Sequence, residues 1–103
     1  MLPKNRPPTH PGEMLLKEFL EPLEISRSKL VHHLGWRYSK VNEIINGKRR
    51  ISTEDALTIG DAFGTDPVFW LNLQRDWDIW HGLQKHHHVE PIHAPKPSVQ
   101  GTL

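Results

Sequence analysis

The sequence predicts an all-α domain of five helices that contains a helix-turn-helix. Three observations lead to this fold class. Apolar residues recur at the three- and four-residue spacing of a helix face, capping residues and glycines mark the ends of these stretches, and positive charge is concentrated in one helix pair. A chain of 103 residues suffices for one domain with a modest core. We expect an N-terminal arm over 1–10, the domain over 11–85 and an extended or disordered tail over 86–103.

The first helix is expected to begin at Pro11 or Gly12 and to end near Glu21, because Pro22 cannot continue it. Its buried stripe should consist of Leu15, Leu16, Phe19 and Leu20. The ten preceding residues contain three prolines and little apolar material, which favours a loose arm.

Helices two and three form the predicted helix-turn-helix. Ser26 is placed to cap helix two, and Gly35 ends it because glycine adopts the left-handed conformation without steric cost. Helix three begins near Arg37 and ends at Asn46-Gly47, and its apolar positions are Val41, Ile44 and Ile45. Two short helices joined in this way let one helix enter the DNA major groove while its neighbour braces it against the backbone.

Helices four and five complete the domain. Ser52 and Asp55 have the spacing of a capping box at the start of helix four, which Gly64 ends. Helix five begins at Pro67 and runs to about Gln84. Four of its large apolar residues recur at steps of three and four: Trp70, Leu73, Trp77 and Trp80. These side chains either all pack internally or partly meet a partner; we expect them at a homodimer interface, since aromatic residues carry much interface energy.

Charge is divided unevenly along the chain. Residues 26–50 contain seven basic residues and one acidic residue, a net charge of +6, whereas the remainder has six basic and 11 acidic residues, a net charge of −5. The net charge of +1 for the whole chain therefore hides a basic helix pair. This asymmetry favours a polyanionic partner such as DNA over an ordinary solvated surface.

Other kinds of chemistry have little support in the sequence. The absence of cysteine excludes disulfides, thiolate zinc sites and a cysteine nucleophile. The histidines and acids form no nucleophile–base set, so we expect no catalytic residues and no enzyme activity. His86, His87, His88 and His93 could bind a metal or respond to pH, but a tail offers no scaffold, and we expect neither metal nor cofactor. With no signal peptide or membrane span evident, a cytoplasmic protein is expected.

Three segments resemble the HigA-type antitoxins, which belong to the lambda-repressor-like (XRE-type) class of helix-turn-helix proteins. They are residues 10–23, HPGEMLLKEFLEPL, residues 26–52, SRSKLVHHLGWRYSKVNEIINGKRRIS, and residues 53–80, TEDALTIGDAFGTDPVFWLNLQRDWDIW. The opening His10–Glu13 and the run Gly64–Gln74 are the most specific parts. The resemblance implies a five-helix lambda-repressor-like domain that dimerises, binds double-stranded operator DNA to repress its own operon, and neutralises a RelE/HigB-like toxin, a ribosome-dependent mRNA endoribonuclease.

Within that fold the third helix is the recognition helix, and its first residues point at base edges. We expect base-edge contacts from Tyr38, Ser39, Asn42 and Glu43. Phosphate contacts are expected from Arg27, Arg37, Lys40, Asn46, Lys48 and Arg49. The family usually has small residues where Trp36 and Arg37 stand, so its DNA specificity does not carry over to this chain.

The toxin is expected to be basic, since it acts on RNA, and to meet acidic rather than basic surface. The candidate acids are Glu13, Glu18, Glu21 and Glu24 around helix one, and Asp61, Asp66, Asp76 and Asp78 on helices four and five. A tail that orders on binding is the other candidate contact. A solitary transcriptional regulator of the same fold, with no toxin partner, is the alternative function.

Overall fold

Five helices form the part of the chain that the computed structural model describes, residues 6–93. They are α1 over Pro11–Met14, continued by a π-helical segment over Leu15–Leu20, α2 over Arg27–Leu34, α3 over Tyr38–Ile45, α4 over Thr53–Phe63 and α5 over Pro67–Lys85. No strand occurs in these residues. The all-α, five-helix fold class is confirmed.

The helix ends follow the expected capping residues. Ser26 Oγ accepts the Lys29 N–H at 3.0 Å, and Ser52 and Asp55 form a complete capping box. Gly35 ends α2 at φ 72, in the left-handed conformation that turns the chain toward α3. Asp66 caps α5 by accepting the Val68 N–H at 2.9 Å. Local sequence therefore places the boundaries of α2 to α5 well.

The first helix differs from the plain α-helix expected over residues 11–21. After Met14 it continues as a π-helix, and the Glu21 N–H donates to the Leu16 carbonyl at 2.9 Å. The i→i+5 hydrogen bonding stacks each residue near the one five positions away. Leu15 and Leu20 are five positions apart and are both 1% exposed. The wider turn thus brings both leucines to the core.

His10 was expected in the loose arm, and that expectation is wrong. Its Nδ1 accepts the Gly12 N–H at 2.8 Å, so it caps α1, and its ring packs edge-on against Trp77 with centroids 4.8 Å apart. Burial lowers the pKa of His10, opposed by the charges of Asp78 and Glu13 and assisted by His81. The proline content of residues 1–10 predicted an arm, but composition does not reveal a helix cap, because capping depends on a single side chain.

The core lies between the π-helical segment and helices α2, α3, α4 and α5. Its buried apolar residues are Leu15, Leu20, Leu30, Val41, Ile44, Ile45, Ile51, Ala56, Ile59 and Trp70. Trp70 is wholly buried, and its Nε1 donates to Thr65 Oγ1 at 2.7 Å. Both groups belong to the Gly64–Gln74 run, which therefore anchors α5 to the end of α4.

The tail leaves the domain at His86, where the helical backbone ends. Residues 86–93 are exposed and form no helix or strand. Residues 94–103, which belong to the expected tail, and residues 1–5, which belong to the expected arm, lie outside the described residues. No helix within residues 6–93 combines the length and apolar character needed to cross a membrane.

Candidate nucleic-acid interface

Helix α3 separates an apolar inner face from a polar outer face. Val41 and Ile44 are 0% exposed and Ile45 is 7% exposed, as their spacing predicted. On the opposite side Tyr38, with 48% of its surface exposed, and Ser39 face solvent. Two of the four expected base-edge residues thus stand free on the first turn, where a recognition helix reads base edges.

The inner face of α3 is held by an unusually close backbone approach. A Cβ built on Gly12 would lie 1.7 Å from the Ile44 carbonyl oxygen, so only glycine allows α1 to pass this near the end of α3. The cap formed by His10 keeps that first turn of α1 in place. The start of helix one therefore packs directly against the C-terminal end of α3.

Asn42 is already engaged inside the protein. Its Oδ1 accepts a hydrogen bond from Arg27 Nη1 at 2.6 Å, and both side chains are half-buried. An expected phosphate contact on α2 thus orients an expected base contact on α3. With its oxygen occupied, Asn42 retains its NH₂ donors for a partner.

Lys40 is paired rather than free. Its Nζ lies 2.7 Å from Asp55 Oδ1 and 4.1 Å from the centroid of the Trp36 ring. Its side chain is 24% exposed, and that of Asp55 is 9% exposed. Burial raises the pKa of Asp55, but hydrogen bonds from Lys40 and from Ser52, together with the Lys40 charge, outweigh it and leave the pKa below its usual value. Lys40 therefore ties α3 to the start of α4.

The basic segment after α3 is partly neutralised by the protein itself. Arg49 Nη1 lies 3.0 Å from Glu43 Oε1, with both side chains about half exposed, and Arg50 Nη2 lies 2.5 Å from Asp78 Oδ2. Lys48 is exposed, and its backbone N–H donates to the Glu43 carbonyl at 2.8 Å. Asn46, the C-cap residue of α3, is also exposed.

Two cations remain without an acidic partner at the ends of α3 within the described chain. Arg37 is the N-cap residue and makes no side-chain capping bond, and Lys48 follows the C-terminal turn. Both are exposed. They lie before and after a helix of eight residues, and such exposed basic side chains are the kind that contact phosphate.

Three polar residues support the outer face of α3, although the sequence did not indicate this role: Asp55, Gln74 and Asp78. Asp55 was recognised only as a helix cap, yet it also binds Lys40. Gln74 accepts the Ile51 N–H at 2.8 Å and donates to Asp78 Oδ1 at 2.9 Å. The one available signal was a glutamine inside the otherwise apolar stripe of α5.

The four residues of α5 that were expected at a dimer interface differ in how far the domain buries them. Its inward stripe contains Trp70, Gln74, Trp77 and His81 at steps of four, three and four. Trp70 has no exposed surface and Trp77 packs on His10, so the expectation that Trp70 contributes to an interface is wrong. Leu73 and Trp80 are half-buried and lie outside that stripe. Periodicity alone could not tell which face the domain covers.

The four tail histidines lie within the described residues and do not form part of a metal site there. His86, His87, His88 and His93 are exposed, and His88 Nε2 lies 3.3 Å from Glu90 Oε2. Within residues 6–93, no three histidine, aspartate or glutamate side chains converge as metal ligands would.

The chain is similar to known helix-turn-helix regulators and antitoxins. No protein-family model matches the chain. The chain is 41% identical over 75 residues to YbaQ, an uncharacterized HTH-type transcriptional regulator of Escherichia coli (strain K12), a match that covers 73% of this chain and 66% of that protein. It is 39% identical over 75 residues to antitoxin HigA-1 of Vibrio cholerae serotype O1, covering 73% and 70% of the two chains.

Solved structures show the same fold at similar identity. The Pseudomonas aeruginosa antitoxin HigA with the higBA promoter matches with a TM-score of 0.72 and 36% identity, covering 84% of this chain and 99% of that one. Antitoxin GraA in complex with its operator matches with a TM-score of 0.77 and 32% identity, covering 91% and 100%. These relatives are named as antitoxins and regulators and not as enzymes, in agreement with the expectation from the sequence.

Proposed function

Because this chain belongs to the HigA-type antitoxins of the helix-turn-helix class, we propose that it binds its own operator as a homodimer and neutralises a RelE/HigB-like toxin. The observation that carries the DNA-binding part is the exposed pair Tyr38 and Ser39 on the first turn of α3, with the exposed cations Arg37 before the helix and Lys48 after it. Two relatives of this fold are named as bound to promoter or operator DNA. The match spans just under two thirds of the length of YbaQ.

In this proposal Tyr38 and Ser39 read base edges directly, and Asn42 reads them with the orientation that Arg27 imposes. Arg37, Lys48 and Asn46 contact phosphate. Arg49 is paired with Glu43 in the free protein, and this pair has to open before Arg49 contacts phosphate. Arg27 and Lys40 act chiefly by supporting the helix, because both are engaged inside the protein.

Binding to DNA upstream of the gene, measured across a range of salt concentrations, tests these roles. Lys48→Ala should weaken binding to all sequences and flatten the plot of log affinity against log salt by about 0.9 per protomer contact. Tyr38→Ala should instead relax sequence preference by about 1–3 kcal/mol. Lys85→Ala, at the far end of α5, is the matched control and should leave the slope unchanged. Equal effects of Lys48→Ala and Lys85→Ala would refute the assignment.

The proposed dimer uses the flank of α5 rather than its core-facing stripe. Leu73 and Trp80 lie on this flank together with the exposed Phe69 and Leu83, at steps of three, four and seven. A two-fold axis there would set two recognition helices about 34 Å apart on an inverted repeat. Leu83→Glu should then give monomers in sedimentation. Leu23→Glu, at a site exposed to a similar degree (58% against 60%), should not.

The proposed toxin surface is the acidic end of helix one together with α4. Asp76 and Asp78 are paired with Arg75 and Arg50, which leaves the exposed Glu18, Glu24 and Asp61 as stronger candidates. A small cavity of about 160 Å³ between α2 and α4 is lined by Ile25, Leu30, Ala62 and Phe63 and also by Lys29 and His33, so the cavity itself is not acidic. The toxin surface is therefore proposed on the exposed carboxylates, whose charge is complementary to a basic protein.

Charge reversal separates this surface from the tail. Glu24→Lys combined with Asp61→Lys should lower affinity for the toxin while leaving operator binding intact, and Glu90→Lys in the tail is the control. Deletion of residues 86–103 should leave toxin affinity unchanged. If the isolated tail binds as tightly as the whole chain, the acidic surface is the wrong site.

A solitary regulator is the second candidate function, favoured by the similarity to YbaQ, which is named only as a transcriptional regulator. The DNA-binding part is the same in both cases. A RelE-like reading frame beside the gene, and co-purification of its product with this chain, would support the antitoxin; absence of such a frame would support the regulator.

A further inference from the structure

Helix α5 holds the segment that leaves the recognition helix through three consecutive polar contacts. The Ile51 N–H donates to Gln74 Oε1 at 2.8 Å, Gln74 Nε2 donates to Asp78 Oδ1 at 2.9 Å, and Arg50 Nη2 donates to Asp78 Oδ2 at 2.5 Å. Gln74 is only 3% exposed. Both oxygens of the Asp78 carboxylate therefore have a donor, one of them on a buried and immobile side chain.

The ion pair between Asp78 and Arg50 affects the positive charge of residues 48–50 more than it affects the stability of the fold. The Arg50 and Asp78 side chains are 66% and 42% exposed, and ion pairs this open contribute little to stability. The run Lys48–Arg50 reads as three adjacent cations in the sequence. In the folded chain Arg49 faces Glu43 and Arg50 faces Asp78, so Lys48 alone of the three lacks an ion pair among the described residues.

We propose that Asp78 is a positioning residue for DNA binding, which holds the Arg50 guanidinium against α5 and withdraws one cation per protomer from phosphate. The inference rests on the proposed operator binding. Phosphate contacts carry no sequence information, but they supply most of the affinity for non-specific DNA. With Arg50 withdrawn, the protein leaves non-operator DNA more readily and depends more on its base contacts.

Asp78→Asn tests this directly, because asparagine keeps the size of the side chain and can still accept from Gln74 but carries no charge. The slope of log affinity against log salt should steepen by about 0.9 per protomer, for operator and random DNA alike. Asp76→Asn is the matched control: it changes the net charge equally on the same helix but releases Arg75. Arg50→Gln combined with Asp78→Asn should return the slope to that of the unmodified protein.

Each possible result of these salt titrations either supports or overturns the proposed role of Asp78. A slope that flattens in Asp78→Asn would mean that Asp78 presents Arg50 to phosphate, and equal slopes in Asp78→Asn and Asp76→Asn would mean that only net charge counts; either result overturns the inference. If the unmodified protein shows no operator preference, the proposed function fails separately. Elution from immobilised heparin still tests the role of Asp78, since Asp78→Asn should then elute at higher salt than Asp76→Asn.

Discussion

Helices α3 and α5 differ in how completely their sequences define their faces. In α3 the aliphatic residues Val41, Ile44 and Ile45 are all buried, as their spacing predicts, so pattern and structure agree. In α5 apolar residues occur all round: Trp70 is wholly buried, whereas Val68, Phe69, Ile79 and Leu83 are exposed. A helix with one apolar stripe has one way to pack, whereas a helix with several stripes depends on what surrounds it.

The largest expected effect is the difference in the free energy of unfolding between substitutions of Trp70 and Trp80 in α5. Trp70→Ala should lower the free energy of unfolding by about 3–5 kcal/mol, because it empties a wholly buried site and removes the donor to Thr65. Trp80→Ala, on the half-buried flank, should lower it less at the same protein concentration. Urea unfolding measures both. Equal losses would show that Trp80 is as much a part of the core as Trp70.

The second comparison concerns the support of α3. Gly12→Ala places a Cβ against the Ile44 carbonyl, so α1 and α3 must separate, and the free energy of unfolding should fall by about 3 kcal/mol or more. Gly82→Ala is the matched control in α5, where a Cβ meets nothing within 4 Å. It should stabilise the helix by up to about 1 kcal/mol. A tolerated Gly12→Ala would contradict the close approach.

A pH effect should follow from His10, where α1, α3 and α5 meet. Its pKa is lower in the folded chain than its ordinary 6.5, so the unfolded state binds protons more readily. Its contribution to stability is complete above pH 6.5 and is lost as the pH falls from 6.5 to the folded pKa. Protonation of Nδ1 also removes the acceptor for the Gly12 N–H.

The variant His10→Asn separates the cap from the titration. Asparagine is a good N-cap residue but does not titrate, so the variant should lose less stability than the unmodified protein between pH 7.5 and 5.5. At pH 7.5 it should be the less stable of the two, because the ring contact with Trp77 is gone. Denaturant unfolding at each pH measures this, and parallel pH profiles would exclude His10 as the cause.

The smallest expected change in stability is on the outer face of α3. Glu43→Gln breaks an exposed pair with Arg49, so the free energy of unfolding should change by less than about 0.5 kcal/mol. Affinity for random DNA should rise, because Arg49 is released beside the recognition helix. Salt titration of random-DNA binding measures the effect. A large loss of stability would show that the pair belongs to the fold rather than to the surface.

Much of the candidate site was accessible from local sequence. Ser26, Gly35, Ser52 and Gly64 mark helix ends through contacts within a few residues, and the spacing of Val41, Ile44 and Ile45 defines the inner face of α3. The basic character of residues 26–50 is a property of composition alone. Such features are predictable because each depends on neighbours in the chain.

Tertiary structure decided which charged and aromatic side chains are available to a partner. Lys40 and Asp55 are 15 positions apart and Arg50 and Asp78 are 28 apart, so no local pattern reveals that they pair. The same is true of Gly12, whose importance comes from the Ile44 carbonyl, and of Trp70, whose burial depends on α1 and α4. The sequence by itself determined the helices, their caps and the location of the positive charge, since these follow from short-range sterics and composition. Only the packing of distant segments decided which cations stay free and which aromatic rings are covered, because burial and ion pairing depend on distances through space.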